Sequence, residues 1–265
     1  MGKRIFAAAL SLLLFAAPAL GEMTVERMEG ERYFPNEQNW VYHYTYAYPQ
    51  VQGEDLTAAL INDTYQMALE EMTQLVLPMF ANAEDMRFDG KNEVTHDFAV
   101  MCNNGRLLSI LQKRTQTMGS EGVSFVLEAL TFDVGGMYAG ETLTLRGVAL
   151  IQGGVDAESL EDVNGQEHPE LKYLIDGSSA EMAAALTPVL YREFQRLQSE
   201  NVMDPQITRE AFETAFSAAR DFYTDDENRL VFFFPPSLML TPSLTPPAFS
   251  FTPFELNDLL RDWEA

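Results

Sequence analysis

Between Glu93 and Val134 the chain reads EVTHDFAVMC-NNG-RLLSILQKRTQT-MGSEG-VSFVLEALTFDV, three runs rich in β-branched and apolar residues parted by two turn clusters. Asn103-Asn104-Gly105 is a tight hairpin signal, because Asn and Gly tolerate the positive φ that such turns demand. Gly119-Ser120-Glu121-Gly122 makes a looser second turn. The stretch predicts a three-stranded antiparallel meander, with Gly135-Gly136 interrupting its third strand and a further β-like run over Glu141–Leu150. The Gly pair is not phosphate chemistry, since it lacks the strand–loop–helix context and the Lys-Ser/Thr of a P-loop.

The flanking segments supply the rest of an α+β fold. Glu22–Asn39 reads as a charged lead-in without periodicity, with at most a short strand near Met23–Met28. Trp40–Tyr48, WVYHYTYAY, alternates strictly and is a strand by period. Trp40, Tyr42, Tyr44, Tyr46 and Tyr48 share one face, and Val41, His43, Thr45 and Ala47 the other. Leu56–Leu77 predicts a helix ended by Pro78, its apolar stripe carrying Leu56, Leu60, Tyr65, Met67, Leu69 and Met72. Leu160–Ile175 reads as loop with a short strand or helix. Ala180–Asn201 is an amphipathic helix capped by Ser178-Ser179, with Pro188 inside it. Asp204-Pro205 opens another helix running to about Ala219. Asp221–Tyr223 and Leu230–Phe234 form a hairpin around Thr224–Arg229. Pro235–Pro247 is extended, Ala248–Thr252 a strand, and Pro253–Trp263 a closing helix or turn. Strands and helices are segregated, so an antiparallel sheet of meander and hairpins packs against amphipathic helices. Residues 40–265 form one domain, or two subdomains over 40–150 and 151–265.

The N-terminus reads as an export signal. Lys3 and Arg4 precede the apolar run Ile5–Ala17, and Ala19-Leu20-Gly21 offers small residues for cleavage after Gly21 or Ala19. No second apolar segment approaches a membrane span. The chain has 17 Lys+Arg against 40 Asp+Glu, a net charge of −23. Without residues 1–21, which hold two of the cations and none of the acids, the charge is −25. Nucleic acid is excluded as a partner, because phosphate binding needs a basic face. A basic protein partner is allowed, and so is plain solubility. The single cysteine, Cys102, forms no intramolecular disulfide and stands either as a small buried hydrophobe or as a reactive thiol. The expected protein is exported and monomeric.

No catalytic constellation is legible. The three histidines, His43, His96 and His168, belong to no zinc motif, and none has a placed second partner. No cofactor is expected. Asp225-Asp226-Glu227-Asn228 is rich in hard oxygens but lacks the spacing and Gly of a calcium loop, so it is an acidic hairpin turn unless something else completes it. Asn62-Asp63-Thr64 matches a glycosylation sequon. The candidate binding surface is Trp40, Tyr42, Tyr44 and Tyr46, with Asp225 and Asp226. The aromatic stripe could stack sugars, or it could pack under a helix.

Several segments, in order, carry a family resemblance. Tyr48-Pro49-Gln50-Val51-Gln52-Gly53 before an acidic helix resembles the start of the extracellular domain of RsiV-type anti-sigma factors, a module also found beside some peptidoglycan deacetylases. Leu108–Thr117, and Thr131-Phe132-Asp133-Val134 with Glu141–Leu145, are similar to its central strands. Phe222-Tyr223-Thr224-Asp225-Asp226 with Leu230–Phe234, and Phe251–Leu256, resemble its late hairpin and terminal segment. The chain departs from it at Met118–Gly122 and at Leu240–Pro247, where the family's His and Tyr are missing, so a ligand read by those residues is not carried over. The resemblance implies a stand-alone exported module that recognises a basic lysozyme-like protein or cell-wall glycan. The alternative is a glycan hydrolase or deacetylase using paired carboxylates of the acidic loops.

Overall fold

The computed structural model describes residues 21–82, 90–119, 122–136, 138–155 and 169–264. The export-signal reading over residues 1–20 lies outside them, as do His168 and the acids Glu158, Glu161, Asp162 and Glu167.

The meander forms as expected from β3 (Asn92–Asn103), β4 (Leu107–Met118) and β5 (Gly122–Asp133), paired antiparallel. Its first turn closes because Asn104 Oδ1 accepts from the Arg106 and Leu107 amides, while Gly105 takes a φ of +75°. A register slip between Val100 and Cys102 turns Val100 outward and Cys102 inward. There the thiol lies 4.0 Å from the Leu107 carbonyl oxygen. Burial, reinforced by Asp226 and Asp225, pushes its pKa up to about 12, so Cys102 packs as a hydrophobe.

Two strands extend the sheet to five, in the order β1-β2-β3-β4-β5. β1 (Val25–Phe34) corrects the lead-in reading, since it runs ten residues antiparallel to β2 (Tyr42–Val51). It is an edge strand, and Glu26, Arg27, Glu29, Glu31 and Arg32 are what a guarded edge carries. Those charges hid its period. β2 and β3 pair in parallel, so the sheet is mostly rather than wholly antiparallel.

The crossover between them is helical: α1 (Leu56–Glu70), one π-type turn over Glu71–Val76, and α2 (Leu77–Asn82). Asp55 caps α1 by accepting from the Ala58 amide at 2.8 Å, worth about 1 kcal/mol. Pro78 does not stop the helix. The wider turn before it relieves the clash its ring makes with an ordinary α-helical carbonyl. The buried stripe is Ala58, Ile61, Tyr65 and Leu69, followed by Leu77 and Ala81. Leu56, Leu60 and Met67, expected on that stripe, face outward.

The remaining elements build a second core. Leu145–Gln152 is a helix, α3, rather than the expected strand: Thr144 caps it by accepting from the Gly147 amide, and Leu145, Val148, Ala149 and Leu150 are buried. A short turn over Pro169–Leu171 leads into α4 (Lys172–Asp176). α5 (Ser179–Ser199) begins with a full capping box between Ser178 and Glu181 and continues through Pro188. α6 (Arg209–Ala215) starts at Thr208, later than Asp204-Pro205 suggested. Asp204 accepts from the Gln206 and Ile207 amides and so closes a turn of its own. β6 (Phe222–Thr224), β7 (Leu230–Phe233) and β8 (Ala248–Phe251) make a three-stranded sheet, and α7 (Pro253–Glu264) closes the chain.

One hydrophobic cluster joins the five-stranded sheet to α1 and α2. A second joins α3 to α7 with the small sheet. The two sheets meet where Ser109 and Thr131 hydroxyls bond at 2.8 Å and the Thr224 amide donates to Ser109 Oγ at 3.2 Å. Leu111, Leu127 and Phe233 pack between them.

Candidate functional site

The residues singled out in the sequence fall into three places. Tyr42, Tyr44, Tyr46 and Tyr48 lie in the core between β2 and α1, so they are no stacking surface. Alternation put their rings on one face, and α1 covers that face. Gly30 on β1 makes room for Tyr46, since any side chain there would collide with the tyrosine hydroxyl.

Beneath α1 the buried rings meet His96, which the sequence left without a partner. Tyr48 Oη lies 2.7 Å from His96 Nδ1, Tyr44 Oη 3.3 Å from it, and the two hydroxyls are 3.0 Å apart. His96 reaches them because β3 runs parallel to β2, with His96 opposite Tyr46. Nothing in the sequence alone signalled that pairing. Burial holds the imidazole pKa down to about 4; Arg114 adds to the effect, while Gln112 and Asp97 oppose it. Among the described residues His96 Nε2 has no hydrogen-bond partner. It borders a cavity of about 10 Å³ lined by Gln112, Arg114, Val126 and Glu128. That is room for one water molecule. A neutral imidazole, two phenols and a carboxylate are an acid–base set, and the space beside them is the size of one water.

Trp40 stands apart from the tyrosines. It joins Tyr33 and His43 in a partly exposed aromatic group, with Tyr33 and His43 stacked at 4.3 Å and Trp40 5.7 Å from His43. Lys91 Nζ sits 4.1 Å from the centre of the Trp40 ring. Glu31 accepts from Tyr33 Oη and contacts His43 Nε2, each at 3.1 Å. These bonds to His43 and Tyr33 lower the Glu31 pKa.

Asp225 and Asp226 lie on the β6–β7 turn. Asp225 Oδ1 accepts from the Glu227 and Arg229 amides at 3.0 and 2.9 Å, so that carboxylate holds its own turn. Asn104 Nδ2 donates to Asn228 Oδ1 and ties this hairpin to the β3–β4 turn. The structure therefore does not gather the six candidate residues into one surface. The sequon Asn62 is also engaged, exchanging hydrogen bonds of 2.8 and 2.9 Å with the Val51 backbone. Among the described residues no group of three or more His, Cys, Asp or Glu is placed to hold a metal ion.

No family model matches the chain, and no curated protein matches it. Its structural neighbours are DUF3298-family proteins, a family whose function is unknown. A member from Bacteroides fragilis shares 13% identity at a TM-score of 0.43, over 88% of this chain and 91% of the other. A member from Pseudomonas aeruginosa PAO1 shares 16% identity at a TM-score of 0.36, over 67% of this chain and 75% of the other. No helix among the described residues is long and apolar enough to cross a membrane.

Proposed function

We propose that the chain is an exported, non-catalytic binding module of the RsiV-like kind, working in the cell envelope or extracellular space on a basic protein partner. The observation that carries this is the division of labour between buried and exposed side chains. Three of the four aromatic residues that could have stacked a sugar are in the core, while the carboxylates among the described residues are mostly exposed on a chain of net charge −23. Such a surface recruits a cationic protein by long-range attraction. The space beside His96 has room for one water, which supports binding over chemistry. A cell-wall glycan is the second reading, favoured by the exposed Trp40 group alone.

Calorimetry of residues 22–265 against a basic lysozyme and against soluble muropeptides, at low and moderate salt, tests both. The expected result is lysozyme binding that weakens sharply as the Debye length shrinks. Muropeptide binding indifferent to salt would shift the reading to glycan. Release of sugar or acetate from purified peptidoglycan, abolished by changing one acid of the loops, would replace it with an enzyme.

A further inference from the structure

The outward face of α1 exposes large apolar side chains. Leu56 is 73% exposed, Met67 63% and Leu75 60%, with Leu60 and Met79 also in solvent. Leu56, Leu60 and Met67 recur at helical spacing and form a stripe on the side opposite the buried Ala58, Ile61 and Tyr65. The only charges from Leu56 to Asn82 are Asp63, Glu70 and Glu71; there is no Lys, Arg or His.

The stripe is also one wall of a groove. The loop after β5 forms the other, and the space between them is about 560 Å³, lined by Leu60, Met67, Asp63, Gly140, Glu141 and Thr142 among others. That wall is built in place. The Gly140 amide donates to the Asp133 carbonyl at 2.7 Å, the Asp133 amide to the Glu141 carbonyl at 3.1 Å, and the Leu143 amide to the Thr131 carbonyl at 2.8 Å. Gly140 has a φ of +95° and lies so near α1 that a Cβ would come within 2.9 Å of Leu60. A side chain there would be strained and would press on the helix. Among the described residues Asp63 and Glu141 have no ion-pair partner, and both line the groove with exposed carboxylates.

We propose that this groove docks a cationic amphipathic segment of a partner protein, its apolar side chains on Leu60 and Met67 and its lysines or arginines on Asp63 and Glu141. The proposal rests on the basic-partner reading above and gives it a site. Charge decides among occupants. A second copy of the chain would bring Asp63, Glu70 and Glu71 against their own kind. An anionic membrane surface would be repelled, because interfacial helices that bind such membranes carry Lys and Arg where this one carries acids. A methionine and leucine surface rimmed by carboxylates suits a basic amphipathic helix, since Met adapts to irregular apolar partners.

The test titrates residues 22–265 with a synthetic leucine–lysine amphipathic peptide of about 14 residues, four turns of helix, and with its leucine–glutamate counterpart. The lysine peptide should bind and the glutamate peptide should not. Met67→Ser, and separately Asp63→Lys with Glu141→Lys, should each weaken the lysine peptide by about tenfold or more, the range of one lost anchor. All three side chains are exposed, so the fold should stand. Glu193→Lys with Glu210→Lys makes the same charge change on α5 and α6 and should cost under about threefold. Equal losses in the two charge-reversed pairs would overturn the groove in favour of diffuse attraction, and so would no binding to the parent protein. If lysozyme binds the parent and the groove variants alike, the groove is wrong while the basic-partner reading stands.

Discussion

The two cores of this molecule solve the same problem with different aromatic chemistry. Under α1 most of the large rings are phenols: Tyr42, Tyr44, Tyr46, Tyr48 and Tyr65, with His96 among them and the phenyls of Phe98 and Phe132 beside them. In the second core they are phenyls: Phe194, Phe212, Phe216, Phe222, Phe232 and Phe234. Phe212 shows what phenyls allow. Its centroid lies 4.9 Å from Phe194, 5.2 Å from Phe216 and 5.8 Å from Phe234, the last edge-on at 73°. Such a set needs only area and ring geometry. The tyrosine core must also answer for each hydroxyl. Tyr44 and Tyr48 answer to each other and to His96, while Tyr42 Oη and Tyr65 Oη have no partner among the described residues. Burial alone raises the pKa of Tyr42 and of Tyr65. One core should therefore be sensitive to lost volume, the other to lost partners and to protons.

The largest effect should come from volume. Phe212 is fully buried at the centre of its ring cluster, and Phe212→Ala should cost about 3–5 kcal/mol, transfer and cavity terms together. Urea titration should show a lower midpoint with an unchanged slope. A loss under about 1 kcal/mol would mean that the phenyl core collapses around the gap and that the contrast between the cores is false.

The proton test comes next and bears on the tyrosine core alone. The folded-state pKa of His96 is about 4, below the usual 6.5. A depressed pKa means that the unfolded chain binds the proton more tightly. The stabilising contribution is then fully present above pH 6.5 and falls as the pH drops from 6.5 to about 4. Over that window the loss is on the order of 3 kcal/mol. Urea midpoints across this range should slope for the parent protein and flatten for His96→Gln. The carboxylates common to both proteins cancel in the difference. Equal slopes would show that water or a local opening already serves the imidazole.

What was legible in the sequence follows the same divide between local and distant forces. The meander, the N-cap at Ser178, the β6–β7 hairpin and the α+β class rest on local chemistry and could be read from it. β1 shows only as a short strand near Met23–Met28, because an edge strand defended by charge has little apolar alternation to reveal its full ten residues. Glu141–Leu150 failed for another reason. Its apolar run suits a strand or a buried helix alike, and the Thr144 cap decides. The apolar face of α1 is legible only in part: Tyr65 and Leu69 are buried as the stripe predicts, but Leu56, Leu60 and Met67 face outward and the sheet takes Ala58 and Ile61 instead. His96 was beyond reach, since its partners lie 48 and 52 residues away across a parallel pairing. The candidate surface failed for the same reason: period gives a face, but not what covers it.

The smallest effect sharpens the comparison most, because its sign separates two kinds of phenol. Tyr48→Phe removes the hydroxyl 2.7 Å from His96 Nδ1 and leaves that nitrogen with Tyr44 at 3.3 Å. A buried polar group stripped of its near partner costs about 1–3 kcal/mol. Tyr65→Phe removes a hydroxyl that bonds to nothing, while the ring keeps its neighbours Tyr48 at 6.4 Å and Phe132 at 5.9 Å. Folding that hydroxyl away from water is a cost with no return, so its deletion should be neutral or stabilising by up to about 1 kcal/mol. Thermal and urea unfolding of the two variants should move in opposite directions. If Tyr65→Phe destabilises as Tyr48→Phe does, an ordered water holds its hydroxyl, and both tyrosines belong to one hydrated network around His96.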